Sequence, residues 1–306
     1  MSGVPLKTPP SPNPPAMDTR NLALRLTTAL VFAIFFLTLL YLGDRPASQR
    51  IFALLLAGAL LMGVREFTAM GRKLGQRPSL TAGALAGWFL LLHFFLLGLD
   101  PTDPLPLWLA LTVAGAVIHF GALLFEPDLG TALTSQALTW MGALYLGLGL
   151  GFQLRLFLFT DTTLANTGGR LILALYLIVW LGDSAAYFAG SLLGRHKLAP
   201  RVSPKKTWEG ALGNLAGNVG GGFIIRATAC PQWSVVDAVA IGLLLGVVGQ
   251  LGDLVESTWK RSAGVKDSNM GGLAIPGHGG MLDRIDSLVF AAPALYAYVH
   301  FVHGLN

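Results

Sequence analysis

The chain has 306 residues, 53% of them hydrophobic and only 12% charged, about half the charged share of an ordinary soluble domain. A water-soluble protein this apolar could not cover its surface with polar groups, whereas a bilayer removes that need. The single cysteine, Cys230, excludes an intrachain disulfide and a cysteine-based metal cluster, and the net charge of +5 is not gathered on a soluble basic face, which argues against nucleic acid.

Residues 1–16 are rich in Pro and Ser and lack an apolar run, so residues 1–17 are expected to form a disordered cytoplasmic tail. The first apolar run is about 20 residues, longer than the core of a usual signal peptide, so no cleavable leader is expected. Nine apolar spans follow, at about 23–43, 51–68, 80–99, 106–125, 131–154, 171–190, 211–229, 235–252 and 287–303. They predict an all-α polytopic membrane protein with about nine transmembrane helices and cytoplasmic catalytic loops. Arg65 and Glu66 interrupt the second span, and the ninth is short. Pro and Gly punctuate the chain between most spans, as in Asp100-Pro-Thr-Asp-Pro and Glu126-Pro-Asp-Leu-Gly.

With the N-terminus inside, alternation of nine spans puts 16 of the Lys and Arg residues inside and 5 outside. That asymmetry is what the positive-inside rule requires. The polar stretches 191–210 and 253–286 then face the cytoplasm, in an integral protein of the plasma (inner) membrane. Ionisable groups are scarce inside the early spans, so residues 18–170 read as transmembrane scaffold and 171–306 as the catalytic region.

Three features of that region carry chemistry. Asp183 lies within the sixth span, where a carboxylate costs several kcal/mol unless it has a partner or a task. A buried structural hydrogen bond is the simpler alternative. Next, Val202-Ser-Pro-Lys-Lys-Thr-Trp-Glu-Gly210 offers Lys205 and Lys206 to phosphates or anionic headgroups, with Ser203 expected to cap a helix that Pro204 begins. An interfacial basic anchor explains the same pair, and Trp208 reads as an interfacial anchor too. Gly213, Gly217 and Gly221 then recur every four residues, a pattern of close helix packing.

The third feature is the glycine-rich, doubly charged stretch 257–286 with the acids just before it. Asp253, Asp283 and Asp286 can converge if it folds back, and Asp283 and Asp286 at i, i+3 would share a helix face. Such carboxylates suit Mg²⁺, which binds one or two of them together with water and substrate phosphates. A salt-bridged loop, with Lys and Arg neutralising the acids, is the alternative. His278, within Gly277-His-Gly-Gly280, is an acid, a phosphate ligand or only a capping group.

Together these residues resemble a known signature. Ser257-x-x-Lys-Arg261, Lys266-Asp267, Pro-Gly-His-Gly-Gly280 and Leu-Asp-Arg-Ile-Asp286 are similar to the motif of the phosphatidate cytidylyltransferases, or CDP-diacylglycerol synthases. Asp183-Ser, His196-Lys-Leu-Ala-Pro200, Ser203-Pro-x-Lys-Thr-Trp-x-Gly210 and Gln250-x-Gly-Asp-x-x-Glu-Ser257 resemble that family in the same order. The likeness covers about residues 180–290, and the N-terminal half shares only hydropathy. One departure stands out: residues 268–277 are about three longer than the family spacing, with the insert around 269–272.

The resemblance implies the reaction CTP + phosphatidate → CDP-diacylglycerol + pyrophosphate, with Mg²⁺ and, left open, a monovalent cation such as K⁺. It implies a metal site on Asp253 and Asp283. Asp253, Lys260, His278, Asp283 and Asp286 are the expected catalytic residues. Asp183, Ser203, Lys206, Arg261, Lys266, Asp267 and Arg284 are the expected substrate contacts. The expected partners are CTP, phosphatidate and membrane lipid, with no nucleic acid and a homodimer left open. A CTP-dependent lipid or polyprenol kinase is the first alternative and a membrane transporter the second.

Overall fold

In hydrocarbon a chain must satisfy its backbone polar groups internally, and long apolar runs do so as helices. The computed structural model describes residues 19–99, 107–121, 128–160, 165–269 and 279–304. Its helices are α1 (Thr19–Tyr41), α2 (Pro46–Lys73), α3 (Leu80–Leu99), α4 (Leu107–Gly121), α5 (Leu129–Phe157), α6 (Thr167–Leu193), α7 (Trp208–Thr228), α8 (Val235–Ser262) and α9 (Leu282–His303). Each expected apolar span coincides with one of them. Five, α2, α5, α6, α8 and α9, are long and apolar enough to cross a membrane by length and composition, and Leu30–Tyr41 and Leu80–Leu96 are shorter apolar helices. The expected tail at 1–17, the two Pro-containing turns at 100–104 and 126–127, and Asn306 lie outside the described residues.

The chain divides into two units, Met1–Leu37 and Thr38–Asn306. Within the first, Leu30, Val31, Phe32, Ile34 and Phe35 form an exposed apolar surface. Within the second, α5 is the central post, packed on α2, α3, α6 and α9. Its Leu146, Leu150 and Leu154 are fully buried, as are Phe52 and Leu60 of α2 and Leu171, Ile172 and Leu175 of α6.

α7 departs most from a hydropathy reading. It is 21 residues long, enough for about 30 Å of hydrocarbon, yet it is rich in Gly and Asn. Packing explains it, because α7 lies against both α6 and α8. A Cβ at Gly213 or Gly217 would collide with Ala185 or Ala189 of α6, one at Gly221 would crowd Ile178, and one at Gly222 would strike the Ala238 carbonyl of α8. The four-residue glycine repeat is therefore a close-packing stripe, as its spacing predicts.

Between α6 and α7 the chain makes a small antiparallel hairpin of β1 (Lys197–Ala199) and β2 (Ser203–Thr207), with Lys197 opposite Thr207 and Ala199 opposite Ser203. This corrects the expectation of a helix begun at Pro204 and capped by Ser203. Extended backbone suits the fixed φ of proline, and pairing with β1 takes up the segment. The cap shifts four residues on: Thr207 Oγ1 accepts from Gly210 N at 3.1 Å. α8 starts with a full capping box, Ser234 N donating to Asp237 Oδ2 and Asp237 N to Ser234 Oγ.

Candidate active site

Strand geometry decides which lysine of the pair faces inward. Alternation along β2 puts Lys205 and Lys206 on opposite faces, and Lys205 is exposed while Lys206 reaches Asp253 of α8 with Nζ 2.5 Å from Oδ2. The other oxygen of Asp253 accepts from Ser257 Oγ at 3.3 Å. Arg261 braces the same hairpin: its Nε donates to Val202 O at 3.1 Å and a terminal nitrogen to Val265 O at 2.8 Å. The end of α8 is thereby tied to the turn between the strands.

The hairpin has its own charge contact. Glu209 accepts from the Arg195 and His196 amides at 3.1 and 3.3 Å and lies 2.7 Å from His196 Nδ1. The His196 side chain first, then the backbone amides of Glu209 itself, Arg195 and His196, hold its carboxyl at about 2 against an ordinary 4.5. A depressed carboxyl stabilises fully above its unfolded value, so the contact should persist below pH 4.5 and fade only as pH falls through about 2. At pH 4 the Arg195 and His196 amides should exchange slowly, and Glu209→Gln should speed them. Equal exchange in both proteins would contradict the contact.

Beyond the hairpin, Lys260 of α8 is the hub. Its Nζ lies 2.5 Å from Glu256 Oε2, one turn back, and 2.5 Å from Asp283 Oδ1 in the first turn of α9. Glu256 is fully buried and Lys260 is 10% exposed, so this is an interior pair and not a surface bridge. Asp283 is saturated: its second oxygen accepts from Ser268 N at 3.1 Å and contacts Ser268 Oγ at 3.0 Å. Asp286 follows one turn later on α9, as the i, i+3 spacing predicts, and Ser287 N donates to its Oδ1 at 2.7 Å. Gly252 permits the approach, since a Cβ there would press on the Asp286 carbonyl.

Asp183 joins through amides. Asn214 Nδ2 of α7 donates to Asp183 Oδ1 at 3.2 Å, while Gln250 Nε2 of α8 and Asn218 Nδ2 donate to Asn214 Oδ1 at 3.0 and 2.7 Å. This ladder crosses α6, α7 and α8 at the depth of Asp253. Asp183, Asp253 and Asp286 act electrostatically on one another, and Lys206 acts on Asp183. Five carboxylates, Asp183, Asp253, Glu256, Asp283 and Asp286, thus share one region with Lys206 and Lys260.

That excess of acid bears on a cation. Among the described residues no three His, Cys, Asp or Glu side chains lie close enough together to form a metal cage. Mg²⁺ needs no such cage, since it keeps waters and takes one or two carboxylates plus substrate phosphates. Asp253 is part-exposed, with Lys206 on one oxygen and Ser257 on the other, and Asp286 on the facing helix accepts through Oδ1. A cation would displace the Lys206 contact, whereas Asp283 is held by Lys260 and by two bonds from Ser268. The donor set fits a hard divalent cation shared with phosphate.

Of the residues the sequence singles out, Asp183, Lys206, Asp253, Lys260, Asp283 and Asp286 converge. Ser203 and Arg261 belong to the hairpin and its brace, and Lys266, Asp267 and Arg284 are exposed at the same end of the helices. His278 and the centre of the insert at 270–272 lie outside the described residues. Sequence reasoning passed over Asn214 and Ser268 and treated Glu66 only as a flaw in a span. Polar side chains in apolar helices are the signal that could have found Asn214 and Glu66. Cys230 takes no part: burial pushes its thiol up to about 12, too high for a nucleophile at neutral pH.

Comparison with known proteins identifies relatives of this chain. The profile described as "Cytidylyltransferase family" matches residues 23–302. The chain is similar to the phosphatidate cytidylyltransferase of Synechocystis sp., 34% identical over 301 residues, covering 90% of this chain and 95% of that one. It is similar to the enzyme of the same name from Haemophilus influenzae, 33% identical over 294 residues, covering 91% and 96%. The likeness to the Brucella suis protein of that name is higher, 50% over 133 residues, but covers 43% of this chain and 47%, about half, of that relative. With a family profile spanning nearly the whole chain and full-length relatives at this identity, the chain belongs to the cytidylyltransferase family.

Proposed function

We propose that this chain is a phosphatidate cytidylyltransferase, joining CTP and phosphatidate to give CDP-diacylglycerol and pyrophosphate in phospholipid synthesis. The observation that carries the reading is the convergence of Lys206–Asp253 and Glu256–Lys260–Asp283 at one end of α6 to α9, within a chain of this family. Asp253 lies nine residues inside the end of α8, about 14 Å along the helix. That depth suits a reaction between a lipid phosphate and a water-soluble nucleotide.

Phosphatidate's phosphomonoester is largely dianionic near pH 7, with a second pKa of about 6. Its oxygen forms a bond to the α-phosphorus of CTP as the bond from that phosphorus to the bridging oxygen breaks, and pyrophosphate leaves. No strong base is needed. The difficulty is electrostatic, since two anions must meet and the leaving group gains charge. Lys206 holds one carboxylate, which it can exchange for a phosphate oxygen, and Lys260 holds two, so it can meet a phosphate oxygen while keeping Asp283. Arg261, Lys266 and Arg284 add positive charge at the mouth, and Asn214 orients Asp183. Asp253 and Asp286 would hold Mg²⁺, which would supply Lewis-acid stabilisation of the phosphate oxygens. The test is incubation of purified protein with CTP, phosphatidate and Mg²⁺: CDP-diacylglycerol should accumulate and EDTA should stop it. Absence of any CDP-lipid would defeat the reading.

The same reading takes the nine helices as nine spans of the inner membrane, with the N-terminus, the hairpin and the segment joining α8 to α9 in the cytoplasm. The Lys/Arg asymmetry supports this orientation. Single cysteines at positions 206 and 266 should resist an impermeant external reagent in intact cells and react once the membrane is opened. Strong external labelling at either would reverse the topology.

A further inference from the structure

Among the described residues, Glu66 is the buried acid near the site that the transfer chemistry leaves unused. It sits on α2, 3% exposed, where a carboxyl is costly without partners. Its partners come from other elements. Met281 N donates to Oε1 at 2.8 Å, Leu282 N donates to Oε2 at 2.9 Å, and Ser268 Oγ lies 2.9 Å from Oε2.

The two amides belong to the start of α9, whose first-turn N–H groups have no partner within the helix. Met281, at the cap position, offers no side-chain cap. Glu66 supplies one from a distant helix. The Ser268 hydroxyl stands between Glu66 and Asp283, so its single proton is shared between two carboxylates, while Ser268 N fixes the same Asp283 oxygen. The other Asp283 oxygen belongs to Lys260. The contacts thus run from Glu66 through Ser268 and Asp283 to Lys260. Gly280 completes the fit, since a Cβ there would run into Ser268 Oγ and crowd the Glu66 carboxylate.

We propose that Glu66 is a positioning residue for cytidylyl transfer: it holds Ser268 and the first turn of α9 so that Asp283 stays paired with Lys260. The inference rests on the proposed reaction at this site. Outer groups that orient a catalytic pair typically cost about 10- to 100-fold when altered, because small displacements are amplified in turnover. Glu66→Gln keeps shape and volume but puts an NH₂ where an acceptor is needed.

The experiment compares wild type and Glu66→Gln in detergent by four readouts: thermal melting, hydrogen exchange at the Met281 and Leu282 amides, acylation of Lys260, and kcat with CTP and phosphatidate. The proposal expects a cooperative melt, faster exchange at both amides, faster Lys260 acylation and a kcat lower by about tenfold or more. Folded Glu66→Gln with unchanged kcat, or with both amides still slow, overturns it. A purely structural cap would lower the melting temperature and leave Lys260 acylation and low-temperature kcat unchanged, which also overturns it. Should Glu66→Gln fail to fold, Ser268→Ala leaves the α9 cap in place. It should still speed Lys260 acylation and lower kcat, and no change in either overturns the proposal. A wild-type protein that makes no CDP-lipid would defeat the proposed function, while the amide and lysine measurements would still decide whether Glu66 holds the pair.

Discussion

Exchanging Asp253 for asparagine is expected to lower turnover by about 100- to 1000-fold while leaving the helices folded, the range seen when one preorganised electrostatic group is removed from a site. The side chain is part-exposed, and its contacts are Lys206 and Ser257, so no core is opened by the change. What is lost is negative charge where a cation and two phosphorylated substrates would meet. Asp286→Asn should behave alike, because Asp286 acts electrostatically on Asp253 across the α8–α9 contact. Steady-state rates over a Mg²⁺ titration, with circular dichroism as the control for folding, measure this. Undiminished turnover in both variants would place the metal elsewhere.

Lys260→Met is expected to damage stability as well as turnover. Lys260 stands 2.5 Å from both Glu256 and Asp283, and Glu256 is fully buried. Removing one partner of a buried ion pair costs about 3–5 kcal/mol, because the remaining charge has no water to turn to. Here two carboxylates lose the same partner. Adding Glu256→Gln should recover part of the lost stability by removing one of the stranded acids, though not the turnover. Chemical denaturation in a fixed detergent reads the difference. A Lys260→Met protein as stable as wild type would mean the pair is solvated and the interior hub is wrong.

The helices were largely legible, since hydrophobic runs near 20 residues leave the backbone little choice in a bilayer. Their ends were not. Hydropathy falls at Asp253, yet α8 continues to Ser262. The Glu256–Lys260 pair one turn apart holds this last part, as does Trp259, edge-on to Phe67 at 5.3 Å and to Tyr145 at 4.9 Å. Asp183, Asp253 and Asp286 are all helical residues, where Asp253 was expected at the start of a loop.

The glycine stripe of α7 was readable from spacing alone, because close helix approach demands small residues at one face. Ser203 misled for a local reason: Ser-Pro suits a helix start and a strand equally, and only pairing with β1 separates them. Glu66 was illegible in its own surroundings. Its partners, Ser268, Met281 and Leu282, are more than 200 residues away in sequence, and no local pattern announces them. The amide ladder from Gln250 through Asn214 to Asp183 was half visible: polar residues in apolar spans suggest partners, but which ones meet depends on how α6, α7 and α8 are rotated.

The reaction itself is tested most directly by following the phosphates of CTP. Purified protein with phosphatidate and Mg²⁺ should move label from the α-phosphate of CTP into lipid and release the γ-phosphate label as pyrophosphate. Label from the γ-phosphate appearing on lipid, with CDP released, would make the protein a CTP-dependent kinase and contradict the account.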